Sequence, residues 1–201
     1  MRRENRFYMF ISSLFSFLLF FVYRIKGTGL ENIPEGGAVL CGQHSSLLDP
    51  ILLGLAVGRK DVMHMMAKKE LEKIPLIGWA IRRAGSFFVD RDKPDLMAIK
   101  TAISLLKKGE KVVIFPEGTR SAEDNAVAVK AGAVRIAEKA GVPVVPVYIP
   151  RKKPLWHTIR IVIGEPYYIN PEKARLKTED YYPIANELMD RIYALNSGGE
   201  N

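Results

Sequence analysis

The chain has 201 residues, 48% apolar and 26% charged, which excludes a disordered or disulfide-stapled peptide and fits one main domain with an ample core. Its single cysteine, Cys41, forms no internal disulfide and no metal pair, so an oxidising compartment is not required. The net charge of +8 favours an anionic partner, and over residues 1–26 Arg2, Arg3, Arg6, Arg24 and Lys26 against one acid, Glu4, supply half of it.

Those cations bracket an apolar run from Phe7 to Tyr23, interrupted only by Ser12, Ser13 and Ser16. At about 1.5 Å per residue the run spans roughly 25 Å, short of a full bilayer crossing. A basic start before an apolar stretch also outlines a signal peptide, but Tyr23-Arg24-Ile25-Lys26 has no small-residue cleavage site. Residues 1–26 are therefore read as a retained membrane-associating helix, shallow or tilted because the serines share one side. The alternative is a buried core helix. Lipid is favoured over nucleic acid, since the aromatic residues concentrate in this run and no basic-aromatic recognition pattern follows.

Gly27-Thr28-Gly29 and Pro34-Glu35-Gly36-Gly37 mark loops, and the globular part, within an expected domain of residues 27–201, is expected to begin near Ala38. Short apolar runs of strand length follow at Ala38–Gly42, Val62–Ala67, Ser86–Val89, Lys111–Phe115, Val144–Ile149 and Thr158–Ile163. Between them Pro50–Val57, Lys69–Arg83, Pro94–Lys108 and Ala126–Ala140 have helical spacing. Tyr181, Ile184, Leu188, Ile192 and Leu195 recur at helical intervals near the end. This alternation predicts an α/β fold: a central, largely parallel sheet flanked by helices.

Three segments carry chemistry. His44-Ser45-Ser46-Leu47-Leu48-Asp49-Pro50 leaves a predicted strand, and loops at carboxyl ends of parallel strands line the ligand crevice. Residues five apart lie about 140° apart on a helix, so Asp49 can meet His44 only across a bend. The position before Pro50 supplies one. Asp49 would then fix the imidazole tautomer and support proton removal by His44; the alternative is a helix cap beside a loop histidine. Ser45 and Ser46 lack the Gly-x-Ser-x-Gly elbow of a serine nucleophile. After the Lys111–Phe115 strand, Pro116-Glu117-Gly118-Thr119-Arg120 offers a close-approach glycine and a guanidinium fork suited to phosphate, or merely a turn. Arg91, after Ser86–Val89, and Lys68, after Val62–Ala67, are further phosphate candidates, although Asp90 and Asp92 flank Arg91 as an ordinary charge cluster would. Cys41, His64 and His157 have no metal-ligand spacing with any partner. Ile74, Leu76, Ile77, Trp79 and Ile81, with Phe87 and Phe88, suit an acyl channel, a lipid-facing surface or core packing.

In order, His44-x-x-x-x-Asp49, Gly85-x-x-Phe88-x-x-Arg91, Phe115-Pro116-Glu117-Gly118-Thr119-Arg120 and Val142-Pro143-Val144-Val145-Pro146-Val147 resemble the four blocks of the glycerophospholipid acyltransferases, specifically the 1-acyl-sn-glycerol-3-phosphate acyltransferase family. The resemblance covers roughly residues 25–165. It implies His44 as general base with Asp49 as its partner, and Arg91, Glu117, Gly118 and Arg120 at the acceptor, with Arg120 chiefly on its phosphate. The family often has Asn before the histidine, where this chain has Gln43. The implied reaction moves a fatty acyl group from an acyl-CoA or acyl carrier protein thioester to the sn-2 hydroxyl of lysophosphatidic acid. It needs no bound cofactor or metal and belongs at the cytoplasmic face of a membrane, with a peripheral or monotopic enzyme. Glycerol 3-phosphate or another lysophospholipid as acceptor, and a noncatalytic basic membrane-binding protein, are the alternatives.

Overall fold

The computed structural model describes residues 22–58, 62–90, 93–118, 120 and 129–198. The run from Phe7 to Phe21 therefore lies outside the described residues, and among those described no helix is long and apolar enough to cross a membrane.

Seven strands form one sheet: β1 (Arg24–Thr28), β2 (Ala38–Gly42), β3 (Met63–Lys68), β4 (Phe87–Val89), β5 (Lys111–Ile114), β6 (Val144–Tyr148) and β7 (Thr158–Ile163). Their spatial order is β1-β7-β6-β2-β5-β3-β4. Every neighbouring pair is parallel except β6 and β7. Five helices accompany it: α1 (Asp49–Val57), α2 (Pro75–Arg83), α3 (Leu96–Lys107), α4 (Gly132–Ala140) and α5 (Tyr181–Ala194). The expected α/β class and largely parallel sheet are what the structure has.

The sheet starts earlier than expected, because Arg24–Thr28 pairs in parallel with Thr158–Val162. Arg24, Ile25 and Lys26 thus belong to a strand of the globular sheet, and the expected boundary at residue 26 cuts through it. As an edge strand β1 is charged and only partly buried, so no apolar alternation announces it. The predicted helix Lys69–Arg83 divides into a 3-10 turn, Lys69–Lys73, and α2. Ile74, preceding Pro75, is extended at φ −89° and ψ 109°, as a residue before proline prefers. Asp95 caps α3 by accepting the Ala98 N–H at 3.0 Å.

Side chains alternate across the sheet into two cores. Val39, Cys41, Val112, Ile114 and Val144 face α3, α4 and α5. Leu40, Val113, Val145, Val147 and Ile161 face α1. The three central strands β6, β2 and β5 are almost wholly buried, a pattern typical of parallel sheets covered on both faces. Because Cys41 is in register with Ile114, the chain leaves β2 and β5 side by side.

Candidate active site

The loop leaving β2 folds back on itself within six residues. Asp49 is the first residue of α1, with Pro50 behind it, so the bend that unites it with His44 lies in Ser45–Leu48 rather than at Asp49 itself. The Asp49 N–H donates to the Ser46 carbonyl at 3.2 Å, and the Leu48 N–H donates to Ser46 Oγ at 3.2 Å. Asp49 Oδ2 in turn accepts the N–H groups of Ser45 and Ser46, each at 2.7 Å, and stands 3.0 Å from His44 Nδ1. Since an ionised carboxylate only accepts, this network assigns the ring hydrogen to Nδ1 and leaves Nε2 with the basic lone pair.

Asp49 is fully buried and His44 nearly so. Burial by itself pushes the Asp49 carboxyl up, but hydrogen bonds from His44, Lys153 and Ser46 outweigh it and hold the group below its ordinary value. Lys153 Nζ stands 2.7 Å from Asp49 Oδ1 and donates to Ser45 Oγ at 3.0 Å. The ring of His44 stacks on Phe115, with centroids 4.3 Å apart and planes inclined by 20°.

Glu117 joins this loop to the one leaving β5. Its Oε2 accepts the His44 N–H at 2.8 Å, and its Oε1 accepts from Arg151 Nη2 at 2.8 Å. The carboxylate is almost wholly buried and ties His44 to the segment following β6. Gly118, at φ 66°, continues the turn by donating its N–H to the Phe115 carbonyl at 3.0 Å. A Cβ there would sit 2.9 Å from Lys130 Cδ and Cε. Gly118→Ala is expected to cost about 1–2 kcal/mol through the left-handed conformation alone, measured as a lowered Tm.

The structure therefore brings His44, Asp49, Glu117 and Gly118 together. Arg120 stands exposed beyond Gly118, and Lys68, at the end of β3, is half exposed and pairs with Glu70 at 3.1 Å. Arg91 and Thr119 lie outside the described residues. Burial drives the Cys41 thiol upward and keeps it protonated, which leaves it no nucleophilic part. Gln43 donates from Nε2 to the Ile149 carbonyl at 2.6 Å, so the residue before the histidine fastens the end of β2 to that of β6.

Sequence reasoning missed Arg151 and Lys153. The signal was present: Arg151-Lys152-Lys153 follows β6 directly, the topological position that singled out His44 and Arg120. Beside the site, a cavity of about 410 Å³ opens under α3 and α4, with Met66, Val89, Ile99, Phe115 and Ile136 among its lining residues. Phe115 is shared between this cavity and the stack on His44. The channel candidates Ile74, Leu76, Ile77 and Trp79 do not line it and are exposed on or beside α2.

Comparison with known proteins identifies the family. The acyltransferase family description matches residues 24–150. A 1-acyl-sn-glycerol-3-phosphate acyltransferase of Bacillus subtilis is 38% identical over 80% of this chain and 82% of that protein. A chloroplastic 1-acyl-sn-glycerol-3-phosphate acyltransferase of Arabidopsis thaliana is 37% identical over 72% of this chain, which spans only 41% of that longer protein. Among solved structures, the 1-acyl-sn-glycerophosphate acyltransferase PlsC from Thermotoga maritima superposes with a TM-score of 0.70 at 27% identity, covering 98% of this chain and 81% of that one. A family match that begins with β1 and ends just past β6, enclosing both loops that meet at His44, shows that the chain belongs to the acyltransferase family.

Proposed function

We propose that this acyltransferase moves a fatty acyl group from a thioester to the sn-2 hydroxyl of 1-acyl-sn-glycerol 3-phosphate, giving phosphatidic acid, with His44 as the general base. The observation that carries the mechanism is the 3.0 Å contact between His44 Nδ1 and Asp49 Oδ2, which leaves Nε2 free to accept a proton. The relatives' names supply the acceptor.

As the acceptor hydroxyl gives its proton to Nε2, its oxygen bonds to the thioester carbonyl carbon. Asp49 stabilises the imidazolium formed in that step. Collapse of the tetrahedral intermediate breaks the carbon–sulfur bond, and the departing thiolate takes the proton back from His44. A carbanion, hydride or radical is not involved, so the step requires no redox group. Coenzyme A and acyl carrier protein present the same reactive bond, and either fits as donor.

Glu117 acts through His44 and Arg151 rather than on the acceptor, because both of its oxygens are engaged and it is buried. Phosphate binding falls to exposed Arg120, assisted by Lys68 and Arg91, while Gly118 lets the chain approach the acceptor. The cavity beside Phe115 is apolar enough for a hydrocarbon chain. A Cβ on its lining residue Gly132 meets nothing within 4 Å, so there is room there to begin a side chain, and Gly132→Leu is expected to narrow the space. That variant is expected to lower kcat/KM for long-chain donors about tenfold relative to short-chain ones, read from competition between donors.

Incubating detergent-purified protein with lysophosphatidic acid and a series of acyl thioesters, and identifying the product by mass, tests the reading. Phosphatidic acid is the expected product. Its absence with every donor, or faster acylation of glycerol 3-phosphate, overturns the acceptor assignment.

A further inference from the structure

Among the described residues, nine of the twelve large apolar side chains that stand exposed belong to segments leaving the carboxyl ends of β2, β3, β4 and β6. Those segments begin at the end of the sheet at which His44 sits. Scattered exposed apolar residues are ordinary, whereas four on and beside one short helix are not.

Two groups of these residues lie toward opposite edges of the sheet. One is Leu155 and Trp156, 57% and 74% exposed, between β6 and β7. The Trp156 N–H donates to the Val22 carbonyl at 2.8 Å, so the apolar run that ends at Tyr23 joins the fold beside them. The other group is Ile74, Leu76, Ile77 and Trp79, in the connection between β3 and the far edge strand β4. Leu76 is 81% exposed and Trp79 57%. Of α2, only Gly78 is buried, and none of these four residues joins either core. Six strand spacings separate the two edge strands, roughly 29 Å at ~4.8 Å each, and the loops from β2 and β5 emerge between them.

The second group also carries a basic border. Residues 68–83 contain Lys68, Lys69, Lys73, Arg82 and Arg83 against only Glu70 and Glu72. A long apolar side chain next to lysines and arginines suits the boundary between anionic headgroups and acyl chains.

We infer that α2, with Leu76 and Trp79 at the centre of its exposed side, is a second membrane-docking element that works opposite Leu155 and Trp156 and sets the crevice holding His44 onto the surface of an anionic bilayer. A single apolar segment would leave the molecule free to pivot about its attachment; two contacts on opposite sides of the crevice fix which way it faces. The benefit of that orientation rests on the lysolipid reading above, since such an acceptor keeps its tail in the bilayer while its headgroup enters the site. The docking surface itself does not depend on catalysis and is measured without it.

The chain has only two tryptophans, Trp79 and Trp156, one in each group. Full-length Trp156→Phe and Trp79→Phe therefore each report one side by fluorescence. With phosphatidylcholine vesicles containing phosphatidylglycerol, emission from both is expected to shift to shorter wavelength and to be quenched by brominated acyl chains, with a smaller shift on phosphatidylcholine alone. In the full-length chain, Leu76→Glu alters an exposed position and is expected to weaken partitioning onto the anionic vesicles at least about tenfold, the scale of one buried leucine, at unchanged Tm. Unchanged Trp79 emission while the protein sediments with the vesicles overturns the inference. So does wild-type partitioning of Leu76→Glu, or a substitution that alters only self-association in sedimentation, which would mean a second copy covers this face. If neither wild type nor variant forms phosphatidic acid, yet Leu76→Glu loses vesicle binding, the docking surface stands and the catalytic reading falls.

Discussion

Replacing His44 with alanine is expected to lower kcat at least ~100-fold, the usual share of general-base catalysis, while vesicle binding changes little and the Tm falls by the equivalent of about 1–3 kcal/mol, since the buried Asp49 loses a hydrogen bond. The expectation follows from the hydrogen-bond network. Nδ1 is held by Asp49, and Phe115 fixes the ring plane by stacking, so the imidazole is already oriented with Nε2 as its basic nitrogen. On the proposed mechanism His44→Ala removes the proton acceptor, whereas the backbone N–H that bonds Glu117 is retained. Single-turnover acylation of lysophosphatidic acid separates this from an effect on product release. Wild-type turnover in the variant would assign proton removal elsewhere and return His44 to the role of a loop histidine.

Asp49→Asn should damage both chemistry and stability. An asparagine at this position can donate to Nδ1 or present its oxygen there, and it carries no charge to stabilise the imidazolium, so kcat is expected to fall by ~10² or more. It also leaves the Lys153 ammonium, only 6% exposed, without its carboxylate. Removing one partner from a buried pair typically costs about 3–5 kcal/mol. Asp49→Asn combined with Lys153→Met removes the stranded charge and is expected to recover part of the stability but none of the activity. Denaturant unfolding and steady-state kinetics on the two single variants and the double variant test this coupling. Equal loss of activity and stability through the series, with joint recovery in the double variant, would make Asp49 a structural residue only.

The same carboxylate predicts a response to acid. Its value in the folded protein is depressed, so its contribution to stability is fully present above the unfolded value of about 3.9 and is lost as pH falls below that toward the folded value. The wild-type Tm should therefore fall more steeply on acidification through this range than that of Asp49→Asn. Parallel curves for the two proteins would show that Asp49 is not held in its charged form by the fold.

Chain-local physics was readable directly. Apolar runs of strand length placed six of the seven strands within a residue or so at each end. The central β2, β5 and β6, buried on both faces, are almost continuously apolar, and β7 alternates buried with more exposed positions. Pro50 placed the start of α1 to within a residue, and Asp95 sits at the start of α3. Where the signal was weak the reason is also physical. β1 is an edge strand whose side chains need not be apolar, and the break at Ile74 depends on a pre-proline restriction that helical periodicity conceals.

The sequence by itself determined the alternating order of strands and helices and the segments that carry chemistry, since both follow from the local pattern of apolar, proline, glycine and ionisable residues. The pairing of His44 with Asp49 was anticipated from five positions of separation because its geometry is set by a single bend. The tertiary structure alone decided that Glu117 links His44 to Arg151, that Lys153 completes the Asp49 carboxylate, and that the side chains of α2 face outward rather than line the cavity. Those outcomes depend on strand order, which places the ends of β2, β5 and β6 together although they are far apart along the chain. No local pattern encodes which distant segments will become neighbours, because that is settled by how both faces of the sheet are buried at once.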